Sequence, residues 1–106
     1  MTSSITIELL VPLCDNEGTP FPDSAFASFE DLLVDLAGGF TRRGVVDGAW
    51  KAPDGAVYRD RSRLYAVQVP EPDASTVAAT IDGEIRGRFR QLAAYLSLSR
   101  TLALAS

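Results

Sequence analysis

The sequence predicts an α+β domain, and three observations carry the prediction. Apolar residues alternate with polar ones in four separate runs, they recur at spacings of three and four in two others, and the runs follow one another as β-α-β-β-α-β. A strand turns successive side chains to opposite faces, whereas a helix returns to one face about every 3.6 residues, so each rhythm selects its own backbone. This order is that of the ferredoxin-like fold, a four-stranded antiparallel sheet with two helices on one face. With 106 residues and no internal repeat, the chain is expected to form one domain over residues 1–106, burying roughly two-thirds of the surface its unfolded form exposes.

The first strand carries Ile5, Ile7, Leu9 and Val11 on one face and Thr6, Glu8 and Leu10 on the other, and Pro12 ends it by withholding a backbone donor. Asp15-Asn16-Glu17-Gly18-Thr19 is turn-forming, and Asp23 or Ser24 is expected to cap the first helix through its side-chain oxygen. In that helix Phe26, Phe29, Leu33 and Leu36 form the stripe that packs on the sheet, with Glu30, Asp31 and Asp35 directed to water. Gly38-Gly39 stops it.

The second strand, from Phe40 to Lys51, contains Gly44 and Gly48, which mark a bulge or a close approach of another group. Ala52-Pro53-Asp54-Gly55 is the strongest turn signal in the chain, and it pairs Trp50 with Val57 as a hairpin. Trp50 is expected to be buried. The third strand is most apolar from Leu64 to Val69 and closes at Pro70-Glu71-Pro72, after which Asp73 is placed to cap the second helix. Val77, Ile81, Ile85 and Phe89 give that helix a narrow stripe, and Ala79, Gly83 and Gly87 line another side where a neighbouring backbone is expected to approach. Alternation from Leu92 to Leu104 gives a last strand long enough to run beyond the sheet or change partner near Arg100.

Composition removes several functions. There is no histidine, so the commonest general base and metal ligand are both missing, along with any Ser-His or Cys-His nucleophile. One cysteine, Cys14, forms no intramolecular disulfide and supports neither a zinc nor an iron–sulfur site, so neither metal nor cofactor is expected. The net charge of −4 opposes binding to nucleic acid or an anionic lipid surface, and the third strand lacks the aromatic series with which RNA-binding domains of this fold stack bases. The amino-terminal residues show no signal-peptide pattern and no apolar stretch is long enough to span a membrane, so a cytoplasmic location is expected.

Arginine is the dominant cation, nine against one lysine. Arg59, Arg61 and Arg63 share one face of the third strand, where they form either an ion-paired surface with Asp47 or Glu8 or a site for a carboxylate or phosphate. Helices cover one side of the sheet only. Glu8, Leu10, Asp47, Tyr65, Tyr95 and Ser97 are expected on the bare side, and a second copy would cover the apolar patch they make.

Leu10-Val11-Pro12-Leu13, Asp15-Asn16-Glu17-Gly18, Pro20-Phe21-Pro22, Gly38-Gly39-Phe40-Thr41, Gly48-Ala49-Trp50, Gly55 and Tyr58-Arg59-Asp60 together resemble a set of short bacterial α+β proteins of uncharacterised function. The likeness runs to about Val69, implies the same ferredoxin-like fold, and directs attention to Trp50, Tyr58, Arg59 and Asp60 at the hairpin and to Asp15, Asn16 and Glu17 in the first loop. Two functions fit these features. The first is a homodimeric module that binds a small ligand or a protein partner at the open sheet face, with Trp50, Tyr58, Arg59, Arg61 and Arg63 as binding residues. The second is a cofactor-independent enzyme of the dimeric α/β-barrel type, a monooxygenase, cyclase or isomerase, using Glu8, Asp47, Tyr65 and Tyr95 as acid-base groups.

Overall fold

The computed structural model describes residues 2–91 and 94–103. The elements are β1 (Thr2–Pro12), α1 (Asp23–Ala37), β2 (Thr41–Lys51), β3 (Val57–Pro70), a 3-10 turn over Glu71–Asp73, α2 (Ala74–Arg88) and β4 (Tyr95–Ala103). The four strands form one antiparallel sheet in the order β2-β3-β1-β4, as the ferredoxin-like reading requires. Leu92 and Leu104, assigned above to the last strand, lie outside the described residues.

Cross-strand pairing fixes which side chains share a face. Ile7, Leu9 and Val11 sit opposite Val67, Tyr65 and Arg63, and the apolar members of that set are buried beneath Phe26, Phe29 and Leu33 of α1 and Val77, Ile81 and Ile85 of α2. Phe89, one residue beyond α2, completes this core and meets the rings of Phe21, Phe26 and Phe29 at centroid distances of 5.0, 5.3 and 5.7 Å. Tyr65 therefore belongs to the helix-covered side, and the register puts Asp47, opposite Arg61, on that same side; neither faces outward with Glu8 and Tyr95 as expected. Alternation was uninformative here because Leu64, Tyr65, Ala66 and Val67 are all apolar.

The helix ends differ from the capping expectation. Pro22 occupies the cap position of α1 at φ −68° and ψ 154°, and neither Asp23 nor Ser24 makes a side-chain cap bond; Asp23 instead places its charge in the first turn. Asp73 holds the cap position of α2, again without a side-chain bond, because the 3-10 turn before it already winds the chain. Gly38 closes α1 in the left-handed region at φ 81°, with its amide donating to the Val34 carbonyl at 2.8 Å.

Ala79, Gly83 and Gly87 are exposed, and a Cβ at either glycine would meet nothing within 4 Å, so the close approach expected along that stripe does not occur within one copy. The last strand does not leave the sheet either: through Ala103 it stays paired with β1. Asp15 accepts from the Glu17 and Thr19 amides at 2.9 Å each, which makes the acidic loop a self-contained turn.

The hairpin outgrows the sheet that supports it. β1 ends at Pro12 opposite Ser62, and Leu13 adds a final bond to the Arg61 carbonyl at 3.0 Å, whereas β2 and β3 continue paired to Lys51 and Val57. Among the described residues no third strand pairs with the ribbon beyond Arg61, and the molecule extends 48 Å along its longest axis. Trp50 stands on this arm, 54 % exposed and stacked on Tyr58 at 5.1 Å, rather than buried as expected.

Candidate functional site

At the corner where α1 crosses β2 and β3, four charged or phenolic side chains meet. Glu30 is buried at 6 % exposure, although its charge suggested the solvent side of α1. Helix geometry explains the difference, because 26, 29, 30 and 33 are the i, i+3, i+4 and i+7 positions of one face, and Glu30 lies one turn beyond Phe26 in the middle of the stripe. An acid inside an apolar stripe is the signal that would have identified it.

Two elements bring partners to Glu30. The Nε of Arg42, at the start of β2, donates to Glu30 Oε2 at 2.8 Å, and its Nη2 donates to Oε1, giving a two-pronged pair. The Tyr65 hydroxyl, from β3, donates to Oε2 at 2.7 Å, so Tyr65 reaches Glu30 from beneath and Arg42 from the rim. Arg42 and Tyr65 are opposite each other in the β2–β3 register. Just beyond them the register slips: Arg43 and Gly44 together face the single Leu64, and Gly44 takes φ 93°, a bulge only glycine adopts without strain. The bulge turns Arg42 and Val45 to the helix side while Arg43 crosses to the other face, where it donates to Glu8 at 2.9 Å.

Arg63 completes the corner. Its guanidinium lies 3.8 Å from the Phe26 ring centroid, while its nitrogens reach Glu30 Oε2 and Asp23 Oδ1 only at 3.7 and 3.9 Å. These groups, with Ala27, Gly44, Val45 and Leu64, border an open cleft of about 550 Å³.

The electrostatics follow from this arrangement. The Arg42 hydrogen bonds hold the Glu30 carboxyl below its ordinary value, against the opposing effect of burial and with help from Tyr65 and Arg63. Burial and then the bond to the Glu30 carboxylate push the Tyr65 phenol up to about 12. Tyr65→Phe is therefore expected to lower stability by about 1–2 kcal/mol in urea unfolding at neutral pH. The folded phenol titrates above its ordinary value of 10.0, so the Tyr65 contribution is complete below pH 10 and is lost as the pH rises toward 12. Unfolding midpoints of the two proteins should converge across that interval.

The other candidate side chains are dispersed. Arg61 pairs with Asp47 at 2.9 Å on the exposed arm, and Arg59, opposite Ala49, lies further toward its tip. Glu8 is on the open face among β1, β3 and β4, and Tyr95 is on the same face, opposite Leu10. Asp47 and Tyr65 face the other way, so the four acid-base groups do not converge in one copy. Of the candidates, only Arg63 and Tyr65 join the corner; Glu30 and Arg42 were not singled out. Among the described residues no group of three acidic or cysteine side chains comes together as a cation site, and no helix is long and apolar enough to cross a membrane.

The fold and this corner define a small α+β module with an ion-paired cleft beside a projecting hairpin. No family model matches the chain, and no curated protein matches it in sequence. Solved structures do match in fold. The divalent cation tolerance protein CutA1 of Thermus thermophilus superposes with a TM-score of 0.67 at 11 % identity, over 97 % of this chain and 87 % of that one. CutA1 of Oryza sativa gives 0.67 at 12 %, over 98 % and 84 %. A phage SAM lyase in complex with S-methyl-5'-thioadenosine gives 0.67 at 12 %, over 93 % and 82 %. Identities this low establish shared architecture and nothing about chemistry.

Proposed function

We propose that this chain is a self-associating α+β module whose open sheet face and hairpin arm are covered by a second copy, the homodimer being the smallest assembly that does so. The arm carries the proposal. Trp50, Val57 and Tyr58 are each about half exposed on a two-stranded ribbon, and an isolated ribbon of that kind is marginally stable in water. Its outward face is continuous with the open sheet, where Tyr95 is exposed and Leu10 and Leu64 are half-buried. Such a surface is large for a monomer to leave wet, and stacked aromatic pairs are the side chains that interfaces favour. Asp60 lies on the same face as Tyr58, while Arg61, Asp47 and Arg59 project from the reverse side of the arm.

The catalytic reading gains no comparable support, because Glu8 and Tyr95 are separated by the sheet from Asp47 and Tyr65. The cation named for the CutA1 proteins gains none either, since this chain has no histidine and no convergent ligand set among the described residues.

Sedimentation velocity across a concentration series tests the proposal. A dimer or larger assembly is expected for the natural sequence. Because Trp50 and Tyr58 are exposed in one copy, Trp50→Ala with Tyr58→Ser should change single-copy stability by only about 0.5 kcal/mol, yet weaken association by about 100-fold or more. A natural protein that sediments as one copy at high concentration overturns the reading.

A further inference from the structure

We propose that the cleft between α1, β2 and β3 binds a small carboxylate carried on an apolar body, gripped by the Arg63 guanidinium. This site is on the helix side of the sheet, so it stands apart from the surface assigned to self-association.

The corner leaves hydrogen-bonding capacity unused. Glu30 is already engaged, accepting two bonds from Arg42 and one from Tyr65. Arg63 is engaged only loosely: it lies beside the Tyr65 phenol, its nearest carboxylate oxygens are at 3.7 and 3.9 Å, beyond hydrogen-bond distance, and its side chain keeps 29 % exposure. A guanidinium offers five donors in a planar fork, and here the fork is already oriented, stacked 3.8 Å from the Phe26 ring centroid. Little freedom is left to lose on binding. What the cleft lacks is an acceptor, and a carboxylate supplies two oxygens at the spacing of the fork.

The walls specify the rest of the ligand. Ala27 and Val45 are apolar, and Val45 is 55 % exposed, so an apolar body lying there would cover surface now in water. The cleft, about 550 Å³, has the volume of ordinary small-molecule sites. Asp23 is the competing acid. Its side chain is fully exposed at the first turn of α1 and holds no close bond to Arg63, so a ligand carboxylate displaces it at small cost.

Benzoate is the probe, titrated into the full chain while the arginine Nε–H and backbone amide resonances are followed by NMR. Saturable shifts at Arg63, Ala27 and Val45 are expected, with a dissociation constant of about 1 mM. Arg63→Lys keeps the charge but loses the fork, and should weaken binding about 10-fold. Asp23→Asn removes the competitor and should tighten binding about threefold; because that carboxyl is wholly solvent-exposed, this variant keeps the test valid if Arg63→Lys misfolds. Three results overturn the proposal: no saturation by about 10 mM, equal shifts from sodium chloride at matched ionic strength, or inorganic phosphate binding as tightly as benzoate, which would leave the apolar walls without a role.

Discussion

Phe89→Ala is expected to destabilise the folded chain by about 3–5 kcal/mol, the cost of emptying a large aromatic site in a core that cannot fully collapse around it. Phe89 is wholly buried, yet it lies one residue past the end of α2, where its amide closes the last turn on the Ile85 carbonyl at 3.0 Å. Its ring touches Phe21 from the loop before α1 and Phe26 and Phe29 from α1 itself, so one side chain ties the end of α2 to a segment distant in sequence. Edge-to-face ring pairs add about 0.5–1.5 kcal/mol beyond their buried area. Domains of this size are stable by about 5–15 kcal/mol, so the variant should lose about a fifth or more of its margin. Urea unfolding at low protein concentration, where association does not contribute, measures the loss. Phe89→Leu retains most of the apolar volume and should recover about half of it.

That core was legible because its signals were redundant. Ile7, Leu9 and Val11 on β1 and Val77, Ile81, Ile85 and Phe89 along α2 each follow the period of their element, and every one of them is buried. The turns were equally explicit: Gly55 takes φ 90° in the hairpin and Gly38 takes φ 81° at the helix end, both requirements that proline and glycine announce in sequence. Trp50 misleads because its burial depends on the length of β1. A tryptophan on a strand packs only where a neighbouring layer extends over it, and the layer ends at Pro12 while the hairpin continues to Lys51. Local periodicity carries no record of how far a partner strand runs. Tyr65 was misassigned for a related reason, since a strand apolar on both faces offers no alternation to read.

The corner around Glu30 was illegible for a third reason: its members come from α1, β2 and β3, and only the bulge at Gly44 brings Arg42 onto the same side as Tyr65. Glycine at 44 pointed to a bulge but not to what the bulge would aim. The acid within the Phe26–Leu33 stripe was the one local clue. Counted by charge, Glu30 belongs outside; counted by position, it belongs inside, and the two arginines and the phenol reconcile the two by meeting its carboxylate where it enters the core.

Glu30→Gln separates the charge of that carboxylate from its shape, and is expected to lower stability at neutral pH by about 2 kcal/mol, in the range found for hydrogen bonds to charged groups. The glutamine carbonyl still accepts from Tyr65, whereas the two-pronged pair with Arg42 is lost. Arg42 and Arg63 both reach solvent, so neither is left as a stranded buried charge, which keeps the cost below that of breaking a fully interior pair. The folded carboxyl titrates below its ordinary value of 4.5, so its contribution is complete above that pH and is lost as the pH falls through the folded value. The stability difference between the natural protein and Glu30→Gln should therefore hold above about pH 5 and shrink steadily in stronger acid. Glu30→Leu should cost about 1–3 kcal/mol more than Glu30→Gln, because the Tyr65 hydroxyl then lies buried without an acceptor. Adding Tyr65→Phe to Glu30→Leu should restore most of that increment, although Tyr65→Phe alone is destabilising. A reversal of sign between the two backgrounds is the coupling expected if the phenol is held in the core by this one acid. Equal losses in both backgrounds would place the Tyr65 bond elsewhere.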